Sequence, residues 1–237
     1  MSRLNVLYSC KIIPMKRIAL LLYIALVSSG CEKKKVDPEV PALETIFPDN
    51  VNGIPDKNKV LLIDEDFNSN NNAWRIFYEP NNDINYMKIE RGLYIFYNDG
   101  RGTMLNHTNG LNFDQSKDFE IETKLKATTR EYGLFWASND LSGPGLSNML
   151  IFEAGKMDFV SAEADGEKYI VRDKIVESTA DAIIKIRKIK DKYYFFLNQN
   201  LVYQGPYLPS KGQSIGFYFS GRGNFESDYI RISRINI

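Results

Sequence analysis

From residue 60 to the end of the chain, short runs of Ile, Phe, Tyr and Val are broken at intervals of roughly 8 to 12 residues by Asn, Asp and Gly, and no run carries a long helical period. The clearest case is 118–127, where Phe119, Ile121, Thr123 and Leu125 alternate with Glu120, Glu122, Lys124 and Lys126. Successive side chains of a strand point to opposite faces, so this strand has one buried face and one wet face. Further strands are expected at 60–67, 92–97, 131–138, 148–154, 168–173, 182–189, 192–198, 213–220 and 229–237. Asp165-Gly166 sits between two runs like a two-residue hairpin turn, and Asp191-Lys192 marks a second tight reversal. With no helices between them, these strands predict an all-β fold, an antiparallel two-sheet β-sandwich.

The segment ahead of that domain carries the strongest signal for compartment. Met15-Lys16-Arg17 is a positive start, 18–27 is an unbroken apolar stretch, Ser28-Ser29-Gly30 are small, and Cys31 follows at once. This order resembles the lipobox of bacterial lipoproteins, in which a signal peptidase cuts before the cysteine and its thiol takes up diacylglycerol. Ser28 stands where that family prefers Leu, with Val27 one place further out. The alternative, a transmembrane anchor, needs about twenty apolar residues. The only other cysteine, Cys10, lies upstream of the signal, so a mature chain keeps one thiol, which suits acylation rather than a disulfide.

The resemblance implies a lipid on Cys31 and a place in the cell envelope of a Gram-negative bacterium, at the outer membrane on its periplasmic face or at the cell surface. Residues 1–30 are then the signal peptide, with 1–14 as an upstream extension. Residues 31–59, with Pro38, Pro41, Pro48 and Pro55, read as an extended linker, and 60–237 as the β domain. Arg3, Lys11, Lys16 and Arg17 precede Cys31 and no acid does, so 30 bases and 30 acids in the whole chain become 26 and 30 after cleavage, a net charge of −4. That balance offers no phosphate-binding surface and argues against nucleic acid as a partner.

Several strand patterns carry a more specific likeness. Glu65-Asp66-Phe67, Gly92-Leu93-Tyr94-Ile95, Phe119-Glu120-Ile121-Glu122-Thr123 and Tyr132-Gly133-Leu134-Phe135 resemble the jelly-roll domains of the concanavalin A-like lectin and glucanase superfamily. The later order is similar as well: Ile184-Lys185-Ile186, Tyr193 to Asn198 followed by Leu201-Val202-Tyr203, Ser214-Ile215-Gly216-Phe217-Tyr218, and Tyr229-Ile230-Arg231-Ile232. These are strand-forming patterns, so the resemblance implies a jelly roll and leaves the activity open.

Some strands are apolar on both faces. Leu93 and Ile95 oppose Tyr94 and Phe96, Tyr193 and Phe195 oppose Tyr194 and Phe196, and Phe217 and Phe219 flank Tyr218. A sandwich strand needs one buried face, so the second set either lines a groove, which in this superfamily often stacks on sugar rings, or is covered by loops or the N-terminal segment. Trp136, ahead of the loop that begins Asn139-Asp140, is a candidate sugar platform, with Asn139, Asp140 and Asn148 as partners for hydroxyls. Tyr218 and Arg222, the latter between Gly221 and Gly223, could join them. Core packing is the competing reading for Trp136 and Tyr218.

Catalytic patterns are sparse. Glu163-Ala164-Asp165-Gly166-Glu167 has the letters of the E-x-D-x-E motif of some glucanases of this fold, which aims three acids into one cleft, but a hairpin at Asp165-Gly166 would split them. His107 is the only histidine, too little for a zinc site or a Cys/His pair, and no nucleophile elbow is present. No cofactor is expected beyond a structural calcium, which the resemblance makes conceivable with Asp64, Asp66 and Asp228 as ligands. The reading from sequence is a lipid-anchored, non-catalytic, lectin-like envelope protein. Its alternatives are a structural or protein-interaction module of an envelope complex, or a glycoside hydrolase of the same superfamily.

Overall fold

The computed structural model describes residues 51, 53–77, 85–99, 103–107, 114–139, 147–163, 166–177, 181–209 and 212–237, all within one compact unit, 47–237. Cys31, the signal segment and most of the linker lie outside the described residues.

Among the described residues, fourteen strands follow one short 3-10 turn at Asp56–Asn58, and every pairing is antiparallel. They are β1 (Lys59–Glu65), β2 (Asn85–Glu90), β3 (Leu93–Asn98), β4 (Thr103–His107), β5 (Phe119–Ala127), β6 (Glu131–Ser138) and β7 (Ser147–Glu153). The series continues with β8 (Lys156–Glu163), β9 (Gly166–Ile175), β10 (Asp181–Ile189), β11 (Lys192–Leu197), β12 (Asn200–Pro206), β13 (Ser214–Ser220) and β14 (Gly223–Ile235). One sheet has the order β12-β11-β10-β5-β14-β3-β2, with β1 on the far part of the same β14 edge that β3 uses. The other has the order β4-β13-β6-β7-β8-β9. The all-β sandwich expected from the alternation is therefore the observed architecture.

The two turns come out as hairpins. Glu163 pairs with Gly166 across the β8–β9 reversal, so Gly166, at a positive φ of 129°, opens β9 rather than sitting in the turn, and the reversal falls at 164–165, outside the described residues. Ile189 pairs with Lys192, so the second turn is Lys190-Asp191, one residue earlier than expected.

The core is an aromatic layer between the inner faces. Trp136 of β6 lies parallel to Phe159 of β8 at 5.8 Å and 7°, and both meet Tyr193 and Phe195 of the facing sheet edge-on. Trp74, from the segment after β1, stacks on Phe217 of β13, which also meets Tyr94 and Phe96 of β3. Rings of this size bury 150–250 Å² each, so they dominate the sheet-to-sheet attraction.

The outer face of the larger sheet is covered in part. Val51 and Ile54 pack on Ile189, Tyr194, Phe196 and Ile235 there, so packed structure begins upstream of residue 60. Beneath this strip Arg187, 2% exposed, binds Glu120 through Nε and donates from Nη1 to the Val51 carbonyl, while Lys59 Nζ reaches Glu120 at 3.0 Å. A buried cation without its partner keeps its desolvation cost, so Glu120→Ala should destabilise the fold by about 3 kcal/mol, whereas the paired change Glu120→Leu/Arg187→Met should cost much less. Urea unfolding midpoints check this.

Candidate functional site

The smaller sheet presents an outer face of a different kind. The even positions of β6, Tyr132, Leu134 and Trp136, enter the core, and Glu131, Gly133 and Phe135 face out. On β7 the outward set is Met149, Ile151 and Glu153, and on β8 it is Asp158, Val160 and Ala162. Phe135, Met149, Val160 and Ala162 form a small apolar cluster of their own, with Ile151 and Tyr218 packed against it. Gly133 is required between them, because a Cβ there would stand 1.9 Å from the Leu150 carbonyl oxygen.

Next to this cluster lies a groove of about 430 Å³, lined by Met149, Ile151, Tyr169 and Tyr218 together with Glu131, Glu153, Asp158, Glu167, Arg172 and Asp173. Its polar groups are held in place. Tyr218 Oη donates to Glu131 Oε2 at 2.9 Å, and Asp158 Oδ1 accepts the Asp173 amide at 2.6 Å. Arg130 Nε bonds Glu153 at 2.6 Å, and Lys156 Nζ bonds Asp173 at 2.9 Å, so two cations stand at the ends of the acidic wall. The Arg172 guanidinium sits 4.6 Å over the ring of Tyr169. Burial pushes the Tyr218 hydroxyl up to about 12, and Glu131 and Glu167 add to this by opposing a phenolate.

The residues singled out from sequence divide. Tyr218 lines the groove, half-buried. Trp136 does not: it is fully buried in the core, its Nε1 donating to Tyr193 Oη at 3.2 Å, because its strand position falls on the inward phase. Asn148 lies opposite Trp136 on β7 and faces inward too, donating from Nδ2 to the same phenol oxygen at 3.4 Å. These two meet, but as a closed internal node in which no sugar could reach them. Asn139 is exposed just beyond β6, and Arg222 is exposed in the β13–β14 turn between Gly221 and Gly223, both at positive φ; neither lines the groove. Asp140 lies outside the described residues.

The two-sided aromatic strands also divide. Tyr194 and Phe196 are covered by the Val51–Ile54 strip, whereas Tyr218 faces the groove. Of the groove residues, Glu167 stands out in the sequence only as the end of the Glu163–Glu167 acid motif, and Glu131, Asp158, Tyr169 and Arg172 carry no sequence signal. They share the outward phase with Phe135 and Met149, and only the pairing of five strands brings them together.

Glu163 and Glu167 do not share a face. Glu167 pairs with Ala162 on the outward side, and Glu163 ends β8 on the other. The calcium candidates are not gathered either. Asp64 bonds Arg231 at 2.9 Å, Asp66 accepts the Asn68 amide and side chain, and Asp228 bonds Lys124 at 2.6 Å. Among the described residues no three His, Cys, Asp or Glu side chains are grouped as a metal site would need. The donors present do not fit a calcium cage of six to eight oxygens.

If the phenol–carboxylate contact in the groove is as described, one tyrosine should ionise near pH 12 rather than near 10, and Tyr218→Phe should remove that step. A phenol whose folded pKa is raised contributes stability that is present below the unfolded value and lost as pH climbs toward the folded one. Absorbance at the phenolate band during alkaline titration reads both.

No known protein family matches this chain, and no curated protein matches it. Its fold does match solved structures. The Emp47p carbohydrate recognition domain superposes with a TM-score of 0.53 at 14% identity, covering 78% of this chain and 100% of that one. The laminarinase catalytic domain of Thermotoga maritima MSB8 gives 0.53 at 11%, covering 75% and 98%. The endo-β-1,3-glucanase of Pyrococcus furiosus gives 0.52 at 12%, covering 75% and 95%. At such identities the likeness carries the architecture alone: the chain has the concanavalin A-like jelly-roll fold.

Proposed function

We propose that this is a lipid-anchored, non-catalytic carbohydrate-binding protein of the Gram-negative outer membrane, and that the groove on the smaller sheet is its glycan site. One observation carries the reading: on that face an aromatic ring and an apolar floor, Tyr218 with Met149 and Ile151, lie beside carboxylates and a guanidinium held in fixed geometry. A sugar offers the matching surface, an apolar ring face bordered by hydroxyls that donate to carboxylates. Solved structures of this fold that are named for carbohydrate recognition or glucan hydrolysis support the carbohydrate-binding part of this reading. The separation of Glu163 from Glu167 removes the only acid motif that pointed to hydrolysis.

The groove wall has five acids against Arg172. Like charges brought into a partly desolvated cleft repel, so neutral glycans should bind and polyanionic ones should be rejected. The test is a glycan array with the soluble chain from Glu32 onward, which contains every described element. Neutral glucans should bind, and Tyr218→Ala and Arg172→Ala should each weaken binding by about tenfold or more while the melting curve stays cooperative. Failure to bind any glycan, or binding untouched by both substitutions, would sink the proposal.

A module of an envelope complex is the second reading. It is favoured by Val60, Leu61 and Leu62 of β1, which are 48, 51 and 38% exposed in succession. Removing these side chains should abolish co-purification with an envelope partner if that reading holds.

A further inference from the structure

A second cavity, of about 590 Å³, lies on the outer face of the larger sheet, away from the strands that build the groove. Its floor is Ile189 and Tyr194, and its roof is the strip that carries Val51, Ile54 and Pro55. The roof is pinned at both ends. Arg187 Nη1 donates to the Val51 carbonyl at one end, and the Asn236 amide donates to the Asn58 carbonyl at 2.9 Å at the other, with the 3-10 turn Asp56–Asn58 between them. Held this way, the strip keeps Val51 and Ile54 packed on the sheet, and an apolar recess is left beside them, bordered by Gly53, Pro55 and the 3-10 turn. Cavities of this size and lining are what small-molecule sites are made of.

The mouth has its own chemistry. Lys57, Lys190 and Lys192 line it, with Asp191 as the acid beside them. All three lysines are exposed, and among the described residues no carboxylate forms an ion pair with any of them. Three ammonium groups against the Asp191 carboxylate and the terminal carboxyl of Ile237, which also lines the recess, leave a positive rim over an apolar interior. From that combination the geometry points to a binding site for an anionic amphiphile with a single acyl chain: the hydrocarbon lies in the recess beside the strip and the carboxylate or phosphate head meets the lysines. The head group is fixed by charge and the tail by burial, which yields roughly 0.8 kcal/mol per methylene.

Gly53 makes the site testable. A side chain added there meets nothing within 4 Å, and its φ is ordinary, so Gly53→Trp introduces a bulky plug into the cavity without straining the backbone. The probe is a fatty acid carrying a dansyl group at its tail end, titrated into the chain from Glu32 onward, with oleate as competitor. Saturable fluorescence gain, displaced by oleate, is the expected result. Gly53→Trp should weaken it by about tenfold or more, and so should the triple change Lys57→Glu/Lys190→Glu/Lys192→Glu. The methyl ester of the probe, which keeps the tail and lacks the charge, should bind correspondingly less. Glycan binding should be unchanged in all of these variants, since none touches the groove. Absence of saturable binding, indifference to Gly53→Trp, or equal affinity for acid and ester would each overturn the inference.

Discussion

The structure depends on the layer of rings between its sheets. Trp136, Phe159, Tyr193 and Phe195 meet at right angles or in parallel at 4.9 to 5.9 Å, and a second group gathers around Phe217, Phe96 and Trp74. Aromatic pairs have preferred approach angles, so such a layer fixes the register of the facing strands as well as attracting them. Once the inward phase of each strand is set, the outward phase follows, because the side-chain period is two and a slip by one residue would exchange the faces. The groove is thus a consequence of the core: Glu131, Phe135, Met149, Asp158 and Tyr218 face out because Trp136, Leu134, Leu150, Phe159 and Phe217 face in.

The two outer faces have been treated differently. On the larger sheet, apolar residues at outward positions are closed over by the strip from Val51, which brings a carbonyl to the buried Arg187. On the smaller sheet Phe135, Met149 and Val160 are buried on the outward face, Tyr218 is half-buried and Tyr169 is exposed, and the acids around them are tied by hydrogen bonds rather than left to turn freely. Pre-set polar groups lose less freedom on meeting a ligand than mobile ones. Both faces end up with an apolar recess and a charged rim, of opposite sign: acidic at the groove, basic at the cavity.

The alternation in 118–127 announces both the fold class and the central strand β5, because every charged residue there falls on one phase. Runs such as Leu134-Phe135-Trp136-Ala137 are apolar at every position, and periodicity cannot tell which phase faces the partner sheet. That ambiguity leaves platform and core both open for Trp136, and the structure makes it core together with its cross-strand neighbour Asn148. Four strands lie outside the expected set, β12 among them although its Leu201-Val202-Tyr203 is one of the strand-forming patterns. β8 and β12 carry small or polar residues such as Ser161, Asn200 and Gln204 that dilute the signal, β2 mixes Asn85, Lys88 and Glu90 with its apolar residues, and β4 is short. Apart from Glu167, which the acid motif marks, the groove acids carry no local signal, since Glu131 and Asp158 stand 27 positions apart and become neighbours only through the pairing of β6 with β7 and of β7 with β8.

The central claim is that Tyr218 and Tyr169 lie on an open ligand face while Trp136 and Tyr193 are sealed between the sheets. Hydroxyl-radical footprinting of the soluble chain, alone and with a neutral glucan, tests it residue by residue. The account predicts labelling of Tyr169 and Tyr218 in the free chain, protection of both on binding, and no labelling of Trp136 or Tyr193 in either state. Labelling of Trp136 in the folded chain, with protection there and not at Tyr218, would contradict it.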